Sequence, residues 1–97
     1  MSESKEMLCI NVLDLLLRES FCIDEYSLNG PKESAVCLER KNLGWCVYDK
    51  EKNSLNDEKD FSNVVEACLE IIERMFLSKS NEIKSKFLDA IIVEKTA

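Results

Sequence analysis

Histidine is absent from the 97 residues, and glycine and proline are scarce, at two and one. Without histidine the chain can build no Ser-His or Cys-His nucleophile pair, no histidine metal site and no imidazole pH switch. Two glycines leave no room for a GxGxxG or Walker A loop, and neither motif is present. Cations are also in short supply: thirteen Lys and Arg face nineteen Asp and Glu, a net charge of −6. That balance argues against direct binding of nucleic acid, whose phosphates are held largely by Lys and Arg. The longest apolar stretch, Leu8 to Leu17, is broken by Asn11 and Asp14 and falls short of the ~20 residues of a membrane span. Such a composition suits a protein-binding module better than an enzyme.

What is present is enough for one compact domain, residues 1–97. A chain of this length buries roughly two-thirds of its unfolded surface. The N-terminus, Met1-Ser2-Glu3-Ser4-Lys5-Glu6, lacks the basic start and cleavage site of a signal peptide. Five cysteines, Cys9, Cys22, Cys37, Cys46 and Cys68, are an odd number at wide spacing. Neither a disulfide framework nor a C-x₂₋₄-C zinc pair is legible in them. Free thiols in a reducing cytoplasm are the expectation, with Cys37 and Cys46 a possible cross-strand pair.

Apolar residues from Met7 to Leu17 recur at three- and four-residue intervals, predicting an amphipathic helix over about Ser4–Glu19, capped by Ser2 or Ser4. The Leu15-Leu16-Leu17 run implies that this helix is covered on more than one side. Phe21 to Lys32 loses the period and ends in the turn cluster Asn29-Gly30-Pro31. Ala35–Lys41 and Trp45–Lys50 read as two strands around Asn42-Leu43-Gly44, a hairpin loop with Gly44 at or near a left-handed position. Pairing Asn42 with Trp45 puts Val36, Leu38, Trp45 and Val47 on one face and Cys37, Glu39, Cys46 and Tyr48 on the other. After a second turn at Glu51-Lys52-Asn53, Ser54–Phe61 can form a third, polar strand with Leu55 and Phe61 on one face. Ser62 then caps a helix carrying Val64 to Phe76 at helical spacing. Ser78 to Asn81 interrupts the pattern, and Ile83 to Ile91 suggests a last helix.

The fold class that follows is α+β. It is a two-layer sandwich with an N-terminal helix, a three-stranded antiparallel meander and one or two C-terminal helices. The face of the sheet away from the helices is then the largest rigid surface left over. Acids gather around it: Glu39, Asp49 and Glu51 on the hairpin, and Asp57, Glu58 and Asp60 on the third strand. A catalytic carboxylate pair would need burial beside apolar walls to raise one pKa, and nothing in the sequence indicates that. The spacing of a calcium loop is missing from Asn53–Asp60, and magnesium on Asp57, Glu58 and Asp60 competes with ordinary surface charge. No catalytic group, cofactor or metal is expected. Trp45 should pack against a helix and Tyr48 should point the opposite way, where an exposed tyrosine among acids could anchor a partner. The alternative for Tyr48 is to lie flat along its own sheet.

Five segments in order carry a resemblance. They are Tyr26-Ser27-Leu28-Asn29-Gly30, Ala35-Val36-Cys37-Leu38-Glu39, Gly44-Trp45-Cys46-Val47-Tyr48, Asp60-Phe61-Ser62 and Glu66-Ala67-Cys68-Leu69. Together they resemble the small immunity proteins of bacterial contact-dependent growth inhibition and related polymorphic toxin systems. The resemblance spans Tyr26 to about Ile72 and departs after Tyr48, where Asp49-Lys50-Glu51-Lys52-Asn53 stands in place of an Arg-Gly-like turn. It implies a cytoplasmic antidote, a monomer when free. Such a protein pairs with the C-terminal domain of a cognate toxin, commonly a basic nuclease, and occludes its active site or substrate groove. The expected toxin contacts are Glu39, Tyr48, Asp49, Glu51, Asp57, Glu58 and Asp60. A second reading from size and charge is an acidic secretion chaperone or adaptor holding an effector segment.

Overall fold

The computed structural model describes the backbone of residues 2–96 and the side chains of residues 5–92. Helix α1 spans Ser2–Ser20, and a 3-10 turn at Ile23–Glu25 leads into a two-residue strand β1, Tyr26–Ser27. Strands β2, β3 and β4 follow at Ala35–Lys41, Gly44–Glu51 and Ser54–Phe61. Helix α2 runs over Val64–Phe76, and α3, Ser80–Thr96, begins after a 3-10 turn at Leu77–Lys79. The class is α+β, as expected. The sheet, however, has four strands in the order β1-β2-β3-β4 and is mixed, because β1 lies parallel to β2 while the other pairs are antiparallel. A three-stranded meander is therefore corrected to a meander with a short parallel edge.

β1 exists because local bonds aim the loop at β2. The Glu25 carboxylate accepts from the Cys22 backbone N–H at 2.7 Å, fixing the 3-10 turn. The Tyr26 hydroxyl donates to Asp14 of α1 at 3.1 Å, with the Tyr26 ring buried. Gly30, at φ +99°, then donates its N–H to the Leu38 carbonyl at 3.0 Å.

One face of the sheet is packed by the helices. Val64, Ala67, Cys68, Ile71 and Ile72 make the buried stripe of α2, which lies closest to β2, β3 and β4. Each buried Val or Ile contributes on the order of 1.5–3 kcal/mol relative to exposure. Helices α1 and α3 pack on α2 and on each other, adding Cys9, Leu13, Leu17 and Phe87 to the same core. The last helix therefore joins the helical layer. Helix α1 is covered by both α2 and α3, as its wide apolar stripe implies, while Met7 and Leu15 stay exposed at 59% and 63%. Any cap at Ser2 or Ser4 lies outside the described side chains. The cap of α2 is Asn63, one residue beyond the expected Ser62. Its side-chain oxygen accepts from the Glu66 N–H at 2.9 Å, and its amide donates to the Glu66 carboxylate at 2.8 Å. Among the described residues, no helix is long and apolar enough to cross a membrane.

The β2–β3 register pairs Lys41 with Gly44, Leu38 with Val47 and Cys37 with Tyr48. Trp45 thus stands opposite Arg40, two residues from the Asn42 expected. Because the shift is even, Val36, Leu38, Trp45 and Val47 still face the helices, and Cys37, Glu39, Cys46 and Tyr48 the other way. Gly44 is not left-handed, and neither are Asn42 and Leu43. Its role is steric: a Cβ there would lie 2.3 Å from the Phe61 carbonyl oxygen, so bare backbone is what lets β3 and β4 meet at this end.

Strand β4 carries a bulge. Val47 pairs with Lys59 but Asp49 pairs with Asn56, so one extra residue stands opposite Tyr48, and Asp57 takes φ +52°. Without the bulge Asp57 would face Asp49 directly, a like-charge pair that destabilises a ladder. The parity change also separates two residues expected together. Phe61 packs with Trp45 on the helix side, whereas Leu55 pairs with Lys50 on the open side.

Candidate protein-binding face

The register places Ala35, Cys37, Glu39 and Lys41 of β2 on the open face with Gly44, Cys46, Tyr48 and Lys50 of β3. From β4 this face receives Leu55, Glu58 and Asp60. Its centre is made of small or tightly packed residues: Ala35, Cys37, Cys46 and Tyr48 form a buried cluster separate from the main core. Carboxylates flank that cluster on both sides, with Glu39 across from Cys46 on β2 and Asp60 across from it on β4.

Two buried donors hold the flanking acids. The Tyr48 hydroxyl, on a side chain only 1% exposed, donates to the Glu39 carboxylate at 2.7 Å. The Cys46 thiol donates to the Glu58 carboxylate at 3.4 Å. Burial, reinforced by Glu39, pushes the Tyr48 phenol well above its ordinary value. Burial, reinforced by Glu58 and Asp60, pushes the Cys46 thiol up to about 12. Both groups therefore stay protonated at neutral pH and remain donors. The outcome is a face on which Glu39 and Glu58 are each held by a buried donor.

The seven expected contact residues separate into groups. Glu39, Tyr48, Glu58 and Asp60 come together on the open face. Tyr48 is buried, so the exposed-anchor role considered for it gives way to the flat packing that was its alternative. Asp49 points the other way and accepts from Arg74 Nη1 of α2 at 3.2 Å. Glu51 is exposed at the far end of β3, and Asp57 is exposed in the bulge.

Arg74 is the residue that sequence reasoning missed. Its side chain is 10% exposed, and its Nε donates to Glu70 at 2.8 Å while Nη2 donates to the Asp57 carbonyl. One guanidinium thus joins helix, central strand and bulge. The Glu70–Arg74 spacing of four was visible, but the reach to Asp49 and Asp57 depends on tertiary packing.

Where the hairpin end meets β4, a cavity of about 400 Å³ is lined by Lys41, Leu43, Gly44, Trp45, Glu58 and Asp60, with Phe61. Leu43 at the tip is 96% exposed. Behind it Trp45 is buried against the helices, with the Arg40 guanidinium 5.2 Å from its ring and Arg40 paired to Glu6 at 2.6 Å. Asp57, Glu58 and Asp60 form no metal-holding group, and no cluster of three such ligands occurs among the described residues. All five cysteines are free, with Cys22 exposed and the other four buried. Comparison with protein-family models, with curated proteins and with solved structures finds no match to this chain.

Proposed function

We propose that this chain is an immunity protein that binds a cognate toxin domain and covers its working surface. The observation that carries the reading is the open sheet face, where Glu39, Glu58 and Asp60 flank a buried, rigid centre and two of the three are held by protonated donors. A nuclease toxin must present cations to phosphates. The carboxylates of Glu39, Glu58 and Asp60, which outnumber Lys41 and Lys50 on the same face, are drawn to the same surface, and Lys50 is itself paired to Glu33 at 2.9 Å. Holding the carboxylates in place before encounter reduces the conformational freedom lost on binding. The resemblance over Tyr26 to Ile72 supports the same class. The role is occlusion in the cytoplasm, with the acids contributing charge and shape and no bond-making chemistry.

The test pairs the chain with the toxin domain encoded beside it. Co-expression should rescue growth, and the purified pair should form a stable heterodimer. Changing Glu51, Glu58 and Asp60 to Lys should slow association about tenfold at low salt, with dissociation less affected. Glu39 is left in place because its reversal would strand the buried Tyr48 hydroxyl, whereas the Cys46 thiol that Glu58 accepts from is only a weak donor. An association rate unchanged by the triple variant at every ionic strength would refute the acidic-face mechanism. Failure of any heterocomplex to form would refute the class.

A further inference from the structure

We propose that the outer edge of β4 takes up an extended, cationic segment of the partner by strand addition. The inference deepens the reading above and rests on it for the partner's charge. β4 is the last strand of the sheet, eight residues long, and Ser54 to Asp60 are all exposed. Its inner side pairs with β3. Among the described residues no main-chain hydrogen bond reaches its outer side. A row of unpaired N–H and C=O groups of this length is a template for another strand.

The side chains decide which strand is accepted. Glu58 and Asp60 border the edge on the open face, while Lys59 on the helix side is paired to Glu70 at 3.8 Å. A second copy of β4 would bring acids against acids, and like charges directly opposite are unfavourable. An uncharged strand would dock with both carboxylates unanswered. A segment with Lys or Arg at alternate positions, and uncharged residues between them, answers both. The bulge sets the limits of the docking site. At Asp57 the carbonyl is already taken by Arg74, so the useful edge is Glu58 to Phe61, at the end where Gly44 draws β3 close. The same charges and bulge that block indiscriminate pairing therefore leave one chemical class of partner.

The test uses the whole chain, isotope-labelled for NMR, and a cyclic β-hairpin peptide whose outward strand reads Thr-Lys-Thr-Lys-Thr. Saturable shifts and slowed amide exchange are expected along Glu58 to Phe61. Glu58→Lys with Asp60→Lys should weaken binding by about tenfold or more, as should a peptide with Glu in place of Lys. The decisive probe is the same Lys peptide N-methylated on its outward amides, which keeps its charge and loses its donors. Loss of binding supports strand addition. Equal binding by the methylated peptide, or shifts confined to Cys37, Cys46 and Tyr48, would overturn it in favour of contact with the face alone, and so would no binding by the unmodified peptide. The assay contains no toxin, so an absent toxin complex would sink the immunity reading without touching this result.

Discussion

Replacing Gly44 by Ala tests the closest approach in the sheet. The new Cβ would stand 2.3 Å from the Phe61 carbonyl oxygen and 3.3 Å from its carbon, both backbone atoms that no rotamer change can move. Relief requires β3 and β4 to part by about 1 Å, which loosens the ladder where Trp45 meets Phe61. Overpacking of this kind, with one weakened ladder bond, costs about 2–3 kcal/mol. For a chain of this size that corresponds to a fall in Tm of roughly 8–24 °C. Urea unfolding followed by fluorescence reads it directly, since Trp45 is the only tryptophan and is 6% exposed when folded. Gly44→Asn separates the two explanations for this glycine. Asparagine would be accepted in a left-handed turn, whereas the steric argument makes it as damaging as alanine. Gly30→Ala is the internal control: nothing lies within 4 Å, so only its φ of +99° is disturbed, at about 1–2 kcal/mol. Gly44→Ala as stable as the parent, to within about 0.5 kcal/mol, would refute the reasoning.

Arg74→Met should cost about 1–3 kcal/mol, discounted because Asp49 and Glu70 keep some water, and should speed amide exchange at Asp57 and Glu58. An unchanged exchange rate there would show that the bulge does not need the guanidinium. A thiol reagent at neutral pH should find one fast cysteine, Cys22, in the folded chain and all five in urea. More than one fast thiol in the native state would contradict the burial of Cys9, Cys37, Cys46 and Cys68. Stability should fall as pH rises above about 9, because the native Cys46 thiol is pushed from 9.0 to about 12 and so binds its proton more tightly than the unfolded one. The Cys68 thiol and Tyr48 phenol, both raised chiefly by burial, act in the same direction. Urea midpoints measured across pH 7–11 should be flat at the low end and drop at the high end.

The hairpin faces were legible because alternation survives an even error in register. Leu38 and Val47 point to the helices whichever of the two pairings is chosen. The bulge was not legible from alternation, which assumes a continuous ladder. The change of register between Val47 and Asp49 shows only once the pairing of β3 with β4 is known. β1 was missed because two residues carry no period, and its position depends on the Tyr26–Asp14 contact twelve residues apart. At the candidate site, charge and side were readable for Glu39, Glu58 and Asp60. Asp49 alternates with Tyr48 and so belonged to the helix side already. Its partner Arg74 lies twenty-five residues on, beyond any local rule. The burial of Tyr48 depends on the layer of small side chains around it, a product of packing rather than pattern.

Strand β4 gives the core little beyond Phe61, which is partly buried there, while its other seven residues stand in water. Sequence change along it is therefore nearly free of consequence for folding, provided the chain can still bulge at residue 57 and pass close to Gly44. A surface of that kind can drift quickly while the scaffold beneath stays constant. If an opponent alters the groups it presents, the answering substitutions can accumulate on this one ribbon, one residue at a time, without the helices having to repack.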